Sequence, residues 1–131
     1  MNTIAMIFLA ATASHHLPPG LLSAVCYVES RHTVIIINRY DGDSPSYGIC
    51  QLKFETAKQV GYTGNADSLL SLKTNVEYAA RYLAHKIELN DGDVIKGVAA
   101  YNAGTYRINS DGVPLNMSYI RNVLDAWRDH R

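Results

Sequence analysis

The sequence has 131 residues, a length that suits one domain with its own hydrophobic core. Apolar residues make up 47% of it, as in ordinary globular proteins and unlike disordered chains. Basic and acidic residues number 12 each, and the resulting net charge of zero argues against electrostatic capture of nucleic acid or of an anionic membrane. We therefore expect a single domain over residues 1–131 that does not bind nucleic acid.

The cysteines and histidines show no spacing typical of a metal site. No histidine pair accompanies Cys26 and Cys50 at zinc-ligand distance in the sequence, so we expect no metal. The two cysteines form either one disulfide or two free thiols, because spacing alone cannot show whether their side chains meet. The five histidines are scattered, and we interpret them as structural or solvent-facing.

The apolar N-terminal stretch TIAMIFLAATAS has some features of a secretion signal, including a small-residue Ala11-Thr12-Ala13 segment. However, no lysine or arginine precedes the apolar run, and the run is too short to span a bilayer as a helix. We therefore predict that residues 3–14 form the first helix of the domain. Neither a signal peptide nor stable membrane insertion is expected.

Helical patterns account for most of the remaining chain. The prolines and the glycine of SHHLPPG end the first helix, because none of them continues a helix readily. Apolar residues then recur at helical spacing in five further segments. These predicted helices are Pro19–Ser30, Phe54–Val60, Thr74–Leu89, Asp93–Ala103 and Ser118–Asp129.

One region departs from the helical pattern. Thr33–Ile37 is a continuous β-branched run, Asp41-Gly42 is a turn signal, and Tyr47–Leu52 is apolar again. These features predict a short β-hairpin or an extended loop near residues 33–52. The expected fold is therefore a single, mainly α domain with a small β excursion.

Glu29 places a charged residue near the end of the mostly apolar stretch AVCYVES, which is an unusual position for a charge. Helical side chains lean back over the preceding turn, where Val25 and Cys26 lie. An apolar setting disfavours the charged form of a carboxyl group and raises its pKa. The alternative is an ordinary helix end at which polar residues resume.

Three segments place polar groups beside apolar elements: VES at 28–30, YGICQL at 47–52 and VAAYNAG at 98–104. In this order, with Tyr119 in the last predicted helix, they resemble the lysozyme-like soluble lytic transglycosylase domain family, which is related to goose-type lysozyme. The family pattern is Glu-Ser, Gly-Leu-Met-Gln and Ala-Tyr-Asn-Ala-Gly, followed by a tyrosine. The resemblance covers roughly residues 15–125.

The resemblance implies an α+β lysozyme-like fold and a role for each matching residue. Glu29 would be the catalytic acid. The residues that would bind or border the sugar chain are Gly48, Ile49, Gln51, Tyr101, Asn102 and Tyr119. Cys50 replaces the usual methionine of the family, which implies a smaller subsite wall. The stretch RHTVIIINRYDGDSPS does not match the family, so no contact from this loop is carried over.

The implied reaction is cleavage of the β-1,4 bond between N-acetylmuramic acid and N-acetylglucosamine in peptidoglycan. Such cleavage needs an acid that protonates the leaving oxygen, and a glutamate with a raised pKa can supply it. In lytic transglycosylases the same glutamate then takes a proton from the 6-hydroxyl of the muramic acid, which leaves a 1,6-anhydro sugar. Goose-type relatives use water instead, and aspartates can assist them. Asp41 and Asp43 are the candidates for such a second carboxylate, although both also suit a turn beside Gly42.

The resemblance also implies glycan strands of peptidoglycan as the partner, a monomer, and no cofactor. With no convincing signal, anchor or wall-binding repeat, the sequence favours a bacteriophage endolysin. Such a protein is made in the cytoplasm of a bacterial host and acts on the cell wall in the periplasm. A transglycosylase that serves a secretion apparatus is an alternative setting. A wall-binding or assembly module without turnover is the alternative from another functional class.

Overall fold

The computed structural model describes residues 2 to 130, so the end residues 1 and 131 of the expected domain lie outside it. The described part contains six α-helices and one three-stranded antiparallel sheet, which confirms the predicted mainly α architecture. The helices are α1 (Thr3–Ser14), α2 (Leu21–Ser30), α3 (Phe54–Gln59), α4 (Leu72–Leu89), α5 (Val94–Ala103) and α6 (Met117–His130). The strands are β1 (Ile37–Asn38), β2 (Ser46–Tyr47) and β3 (Leu52–Lys53), and a 3₁₀ turn covers Asp67–Leu70.

Helix α1 forms over Thr3–Ser14, as predicted for residues 3–14, and packs on α4. The side chain of Asn2 caps it by accepting a hydrogen bond from the amide of Ala5 at 2.8 Å. Phe8 and Ala11 are buried, and the Phe8 ring lies 5.2 Å from the His32 ring. Within residues 2–130, no helix combines the length and the hydropathy needed to cross a membrane.

Helix α2 begins at Leu21, and the prediction that it begins at Pro19 was wrong. The amide of Leu21 donates to the carbonyl of Pro18 at 3.2 Å, and Gly20 adopts a left-handed conformation with φ of 81°. The two prolines therefore belong to a turn that precedes the helix. Leu21, Leu22 and Val25 are fully buried, so α2 runs through the core and delivers Glu29 at its end.

The β region is a hairpin of β1 and β2 with a third strand, β3. Strand β1 is shorter than the β-branched run of residues 33–37 suggested. Of residues 33–37, only Ile37 pairs, opposite Tyr47 in β2. Arg31 and His32 both have positive φ, so the chain turns sharply after α2, and Ile35 then lies 79% exposed. Strand β2 also pairs with β3, which links the hairpin to the start of α3.

The helices beyond the sheet complete the core. Helix α5 packs on α4, and α6 packs on α2. A Cβ at Gly97 in α5 would collide with the Ile87 side chain of α4, so glycine allows the two helices to approach this closely. Ile120 and Val123 of α6 are fully buried. The ends of α2 and α5 and the sheet thereby meet on one side of the molecule, where they form a cavity.

Candidate active site

A cavity of about 370 Å³ lies between the end of α2, the sheet and the end of α5. Residues far apart in the sequence contribute to its wall. Those with polar side chains include Glu29, Asp41, Gln51, Lys53, Tyr101 and Asn102. The structure thus brings Gln51, Tyr101 and Asn102 to the same cavity as Glu29, as the motif order predicts.

The carboxyl group of Glu29 sits in the last turn of α2 and is partly buried. Its Oε2 atom accepts a hydrogen bond from the hydroxyl of Tyr119 in α6 at 2.8 Å. Burial raises the pKa of Glu29 from its ordinary value of 4.5 to about 7; the Tyr119 hydroxyl opposes this rise and the charge of Asp41 adds to it. The group is therefore poised to gain and lose a proton near neutral pH.

Two tyrosines lie close to this carboxyl group in neutral form. Burial, with a smaller contribution from the charge of Glu29, holds the pKa of both Tyr101 and Tyr119 well above the usual range. The Tyr101 hydroxyl donates to the carbonyl of Cys50 at 2.9 Å, so it ties α5 to the segment between β2 and β3. Tyr101 thus holds this segment in place and is also one of the residues that line the cavity.

The segment Gly48–Gln51 contributes Gln51 to the cavity wall. Ser30 follows Glu29 directly, is buried, and donates from its hydroxyl to the carbonyl of Ile49 at 2.6 Å. Gln51 adopts a positive φ of 53°, and its Nε2 donates to the carbonyl of Gly48 at 3.0 Å. The serine of the Glu-Ser pair therefore positions this segment against the helix that carries Glu29.

Two residues of the segment, Ile49 and Gly48, are not among those that line the cavity. The Ile49 side chain is fully buried and lies in the core, so it does not line the cavity. Gly48 has a φ of 77°, and a Cβ there would come within 2.9 Å of the Leu69 carbonyl oxygen and still closer to the Asn75 side chain. Glycine is thus required at position 48 for its backbone conformation and for close packing against Asn75.

The Cys50 side chain does not lie in the wall of a sugar subsite, where it was expected. It is fully buried and forms a disulfide with Cys26 in α2, with an S–S distance of 1.99 Å. The sulfur therefore faces the core, and of the two alternatives the structure shows the disulfide. The bond joins the cavity-side segment to α2 one turn before Glu29.

Asn75 is a residue of the site that sequence reasoning missed. This fully buried side chain of α4 accepts from the amide of Cys50 at 2.8 Å. Its Nδ2 donates to the carbonyls of Tyr47 and Leu69 at 2.8 and 2.7 Å. A polar residue in phase with the apolar stripe of α4 was the available signal, because it lies four residues before the buried Ala79.

The two candidate second carboxylates are placed differently. Asp41 lines the cavity, and its carboxylate accepts a hydrogen bond from the buried hydroxyl of Ser46 in β2. Asp43 is not among the cavity-lining residues. Its side chain is 97% exposed and lies 3.6 Å from Nζ of Lys53. The structure therefore leaves Asp41 as the aspartate that shares the cavity with Glu29.

Asn102 and Lys53 are two further polar residues of the cavity wall. The side-chain oxygen of Asn102 accepts from Nδ2 of Asn116 at 3.0 Å, and the same nitrogen donates to the carbonyl of Ala99 at 2.9 Å. Asn116 lies in the loop before α6 and orients Asn102; no sequence pattern indicated it. Lys53 was likewise not predicted, although it lines the cavity at the end of β3.

Groups of three or more histidine, cysteine, aspartate or glutamate side chains arranged to hold a metal ion do not occur within residues 2–130. The described residues of the cavity offer a carboxyl group titrating near pH 7, a second carboxylate, one lysine and several neutral hydrogen-bonding groups.

Comparison with solved structures shows the same fold in larger proteins. An inactive mutant of the lytic transglycosylase Slt from Pseudomonas aeruginosa is 20% identical, with a TM-score of 0.79 over 94% of this chain and 23% of that one. The 70-kDa soluble lytic transglycosylase from Escherichia coli is 21% identical, with a TM-score of 0.76 over 94% of this chain and 23% of that one. A complex of the 70-kDa soluble lytic transglycosylase with bulgecin A is 19% identical, with a TM-score of 0.69 over 95% of this chain and 18% of that one. The predicted lysozyme-like fold is confirmed, and the chain spans less than a quarter of the length of these proteins.

The family model described as the transglycosylase SLT domain matches residues 6–113. This match includes the Glu-Ser pair, the Gly48–Gln51 segment and the Ala100–Gly104 motif, and it ends before Tyr119. It covers most of the chain. The chain therefore belongs to the transglycosylase SLT domain family.

Proposed function

We propose that this chain cleaves the β-1,4 bond between N-acetylmuramic acid and N-acetylglucosamine in peptidoglycan by lytic transglycosylation. The observation that carries the proposal is the Glu29 carboxyl group, which borders the cavity with a pKa of about 7. A group with this pKa serves as an acid and then as a base at neutral pH. Membership of the SLT domain family supports the choice of reaction and substrate.

In the proposed reaction, protonated Glu29 gives its proton to the glycosidic oxygen, and the bond from that oxygen to the anomeric carbon breaks through an oxocarbenium-like transition state. The N-acetylglucosamine leaves with the transferred proton on its 4-hydroxyl. The Glu29 carboxylate then accepts the proton of the 6-hydroxyl of N-acetylmuramic acid as that oxygen bonds to the anomeric carbon. Glu29 is thereby restored, no water is consumed, and the product is a 1,6-anhydro sugar.

The other groups of the cavity support this chemistry in the proposal. The Tyr119 hydroxyl orients the Glu29 carboxyl and stabilises its charged form between the two proton transfers. Gln51 and Asn102 present side-chain amides to the cavity, where they suit hydroxyl and acetamido groups of a sugar. The Tyr101 ring forms part of the wall.

Goose-type hydrolysis of the same bond is the second candidate, and one observation favours it. Asp41 lines the cavity that contains Glu29, and it is close enough for its charge to raise the pKa of Glu29. A second carboxylate in this position suits a base that activates water. A wall-binding module without turnover is disfavoured because it has no need for a carboxyl group poised to transfer protons.

Mass analysis of the fragments released from purified peptidoglycan distinguishes these candidates. Lytic transglycosylation yields muropeptides that end in 1,6-anhydro sugars, whereas hydrolysis yields reducing ends. If no fragments are released, this result contradicts an enzymatic function. Because a similar protein was solved in complex with bulgecin A, this compound is a suitable probe, and we expect it to compete with glycan strands for the cavity.

For the biological setting, we propose that the chain acts as a monomer on the cell wall of a bacterial host, as the endolysin of a bacteriophage. Size-exclusion chromatography with light scattering tests the monomer. Expression in bacteria with and without a pore-forming membrane protein tests the setting. Lysis that depends on the pore supports an endolysin that is released from the cytoplasm, and lysis without it contradicts that setting.

A further inference from the structure

Lys53 carries the only positive charge among the described residues that line the cavity. Its backbone is fixed on both sides, because it ends β3 opposite Ser46 and directly precedes α3. The side chain is 31% exposed, and Lys53 is one of the residues that line the cavity. The same cavity contains the carboxyl groups of Glu29 and Asp41.

The partner that Lys53 has in the structure is a weak one. Its Nζ atom lies 3.6 Å from Oδ1 of Asp43, a side chain that is 97% exposed. A Cβ at Gly42 would lie 3.4 Å from Nζ, which places the ammonium group against the turn that carries both aspartates. Exposed ion pairs contribute only about 0–1 kcal/mol. A carboxylate that enters the cavity can therefore replace Asp43 and leave that aspartate fully hydrated.

The charge also limits what Lys53 can do in the reaction. An oxocarbenium-like transition state is positive at the anomeric carbon, and an ammonium group beside that carbon would oppose it. Lys53 therefore suits a substituent of the sugar chain and not the reacting ring. Neutral amides such as Gln51 and Asn102 are sufficient for the sugar hydroxyls.

We propose that Lys53 binds a carboxylate of the glycan strand and so determines which strands this cavity accepts. This inference rests on the proposed function, and it adds a specificity-determining residue to it. In peptidoglycan, each N-acetylmuramic acid carries a lactyl group whose carboxyl is either free or linked by an amide bond to a peptide that itself bears carboxylates. Chito-oligosaccharides have neither. The lysine ammonium accepts either carboxylate, because it is a compact charge with three rotatable donors.

The test measures binding in the Glu29→Gln background, so that turnover does not consume the ligand. Three ligands are compared: glycan strands with their peptides, strands from which an amidase has removed the peptides and freed the lactyl carboxylates, and chito-oligosaccharides. Lys53→Gln keeps most of the side-chain length and removes the charge, and Lys53→Arg restores it. Lys58→Gln is the matched control, because Lys58 pairs with Glu55 on α3 and does not line the cavity.

We expect Lys53→Gln to weaken binding of carboxylate-bearing strands by about tenfold or more. Its affinity for chito-oligosaccharides should stay within about twofold of that of the parent, the Glu29→Gln variant with Lys53 intact. A merely structural role of Lys53 would not predict this difference between ligands. Lys53→Arg should recover most of the affinity, and Lys58→Gln should change nothing. A loss confined to peptide-bearing strands assigns the contact to the peptide, and a loss confined to stripped strands assigns it to the lactyl carboxylate; either result supports the proposal.

Unchanged binding of all three ligands by Lys53→Gln overturns the proposal, as does an equal loss for chito-oligosaccharides. The test remains separate from that of the reaction, because it uses no turnover. If the parent binds none of the three ligands, the proposed function fails and the role of Lys53 fails with it. If the parent binds strands but the wild-type chain releases no fragments, the reaction fails and the role of Lys53 is still decided by the comparison.

Discussion

The hydroxyl of Tyr119 and the carboxyl of Glu29 lie 2.8 Å apart, although 90 positions separate them in the sequence. This hydrogen bond joins α6 to the end of α2 and favours the charged form of the carboxyl group. Burial and the charge of Asp41 act in the opposite direction, and the balance leaves the pKa at about 7. Proton transfer by Glu29 near neutral pH thus depends on groups from three separate regions of the chain.

Substitution of Tyr119 and of Asp41 should shift the pH dependence of wall cleavage in opposite directions. An acid catalyst works in its protonated form, so activity falls as pH rises through the pKa of Glu29. Tyr119→Phe removes a donor that lowers this pKa. The alkaline limb of the pH–rate profile, where the cleavage rate falls, should therefore move to higher pH. Asp41→Asn removes a charge that raises it, and the limb should move to lower pH.

Initial rates of clearing of a peptidoglycan suspension over a range of pH measure these limbs. Asp43→Asn is the control, because that side chain is almost fully exposed and lies outside the cavity wall. If the alkaline limbs of Tyr119→Phe and Asp41→Asn moved in the same direction, the account of the Glu29 pKa would be contradicted. A larger loss of maximal rate in Asp41→Asn than in Tyr119→Phe, with reducing ends among the products, would instead favour hydrolysis.

Glu29→Gln should abolish most of the activity while the fold survives. The amide keeps the shape of the side chain and accepts the Tyr119 hydrogen bond, but it cannot deliver or recover a proton. General acid catalysis contributes about 10²–10⁴-fold, so the rate of fragment release should fall at least that far. Glu55→Gln, at an exposed position on α3, is the matched control. Substantial release by the Glu29 variant would remove Glu29 from its proposed role.

The same variant should be more stable than the wild type at alkaline pH. A carboxyl whose pKa is raised by folding holds its proton more tightly in the folded state, so wild-type stability declines as pH rises from about 4.5 to about 7. Each pH unit corresponds to about 1.4 kcal/mol, which gives a difference of a few kcal/mol above pH 7. Glu29→Gln lacks this decline. Thermal unfolding at pH 4 and pH 8 measures the effect, and an equal difference at both pH values would refute it.

Asn75→Ala should destabilise the fold and weaken activity together. The substitution leaves the amide of Cys50 and the carbonyls of Tyr47 and Leu69 without their buried partner. Each unsatisfied buried group costs about 1–3 kcal/mol, so unfolding in urea should show a loss of about 3 kcal/mol or more. Lys73→Ala, at an exposed position on the same helix, should stay within about 0.5 kcal/mol. A loss below about 1 kcal/mol for Asn75→Ala would show that water replaces the side chain.

The helices could be predicted well from the sequence, because apolar residues at helical spacing report burial directly. The limits of α1 agree with the prediction, and α4 begins two residues earlier than predicted. The start of α2 was missed because Pro19 is a favoured first residue of a helix, whereas here it belongs to the turn before Gly20. The β-branched run after α2 did not form a long strand, since positive φ at two consecutive residues redirects the chain.

The cavity was predictable only where polar residues occur in recognisable motifs. Glu29, Gln51 and Asn102 could be grouped by motif order before any geometry was known. Asn116 could not, because its contact with Asn102 depends on how the loop before α6 folds back. The pairing of Cys26 with Cys50 was likewise undecidable, since it depends on how the segment before β3 packs against α2.

Cys50 is held at three points, through its sulfur to Cys26, through its amide to Asn75 and through its carbonyl to Tyr101. Only the first of these depends on redox conditions, because disulfides form in oxidising compartments and are rare in the cytosol. Protein purified from a reducing cytosol and protein folded under oxidising conditions would therefore differ in how firmly this segment is held to α2, although their sequences are identical. Preparations of this chain should be compared only after their thiol content has been measured.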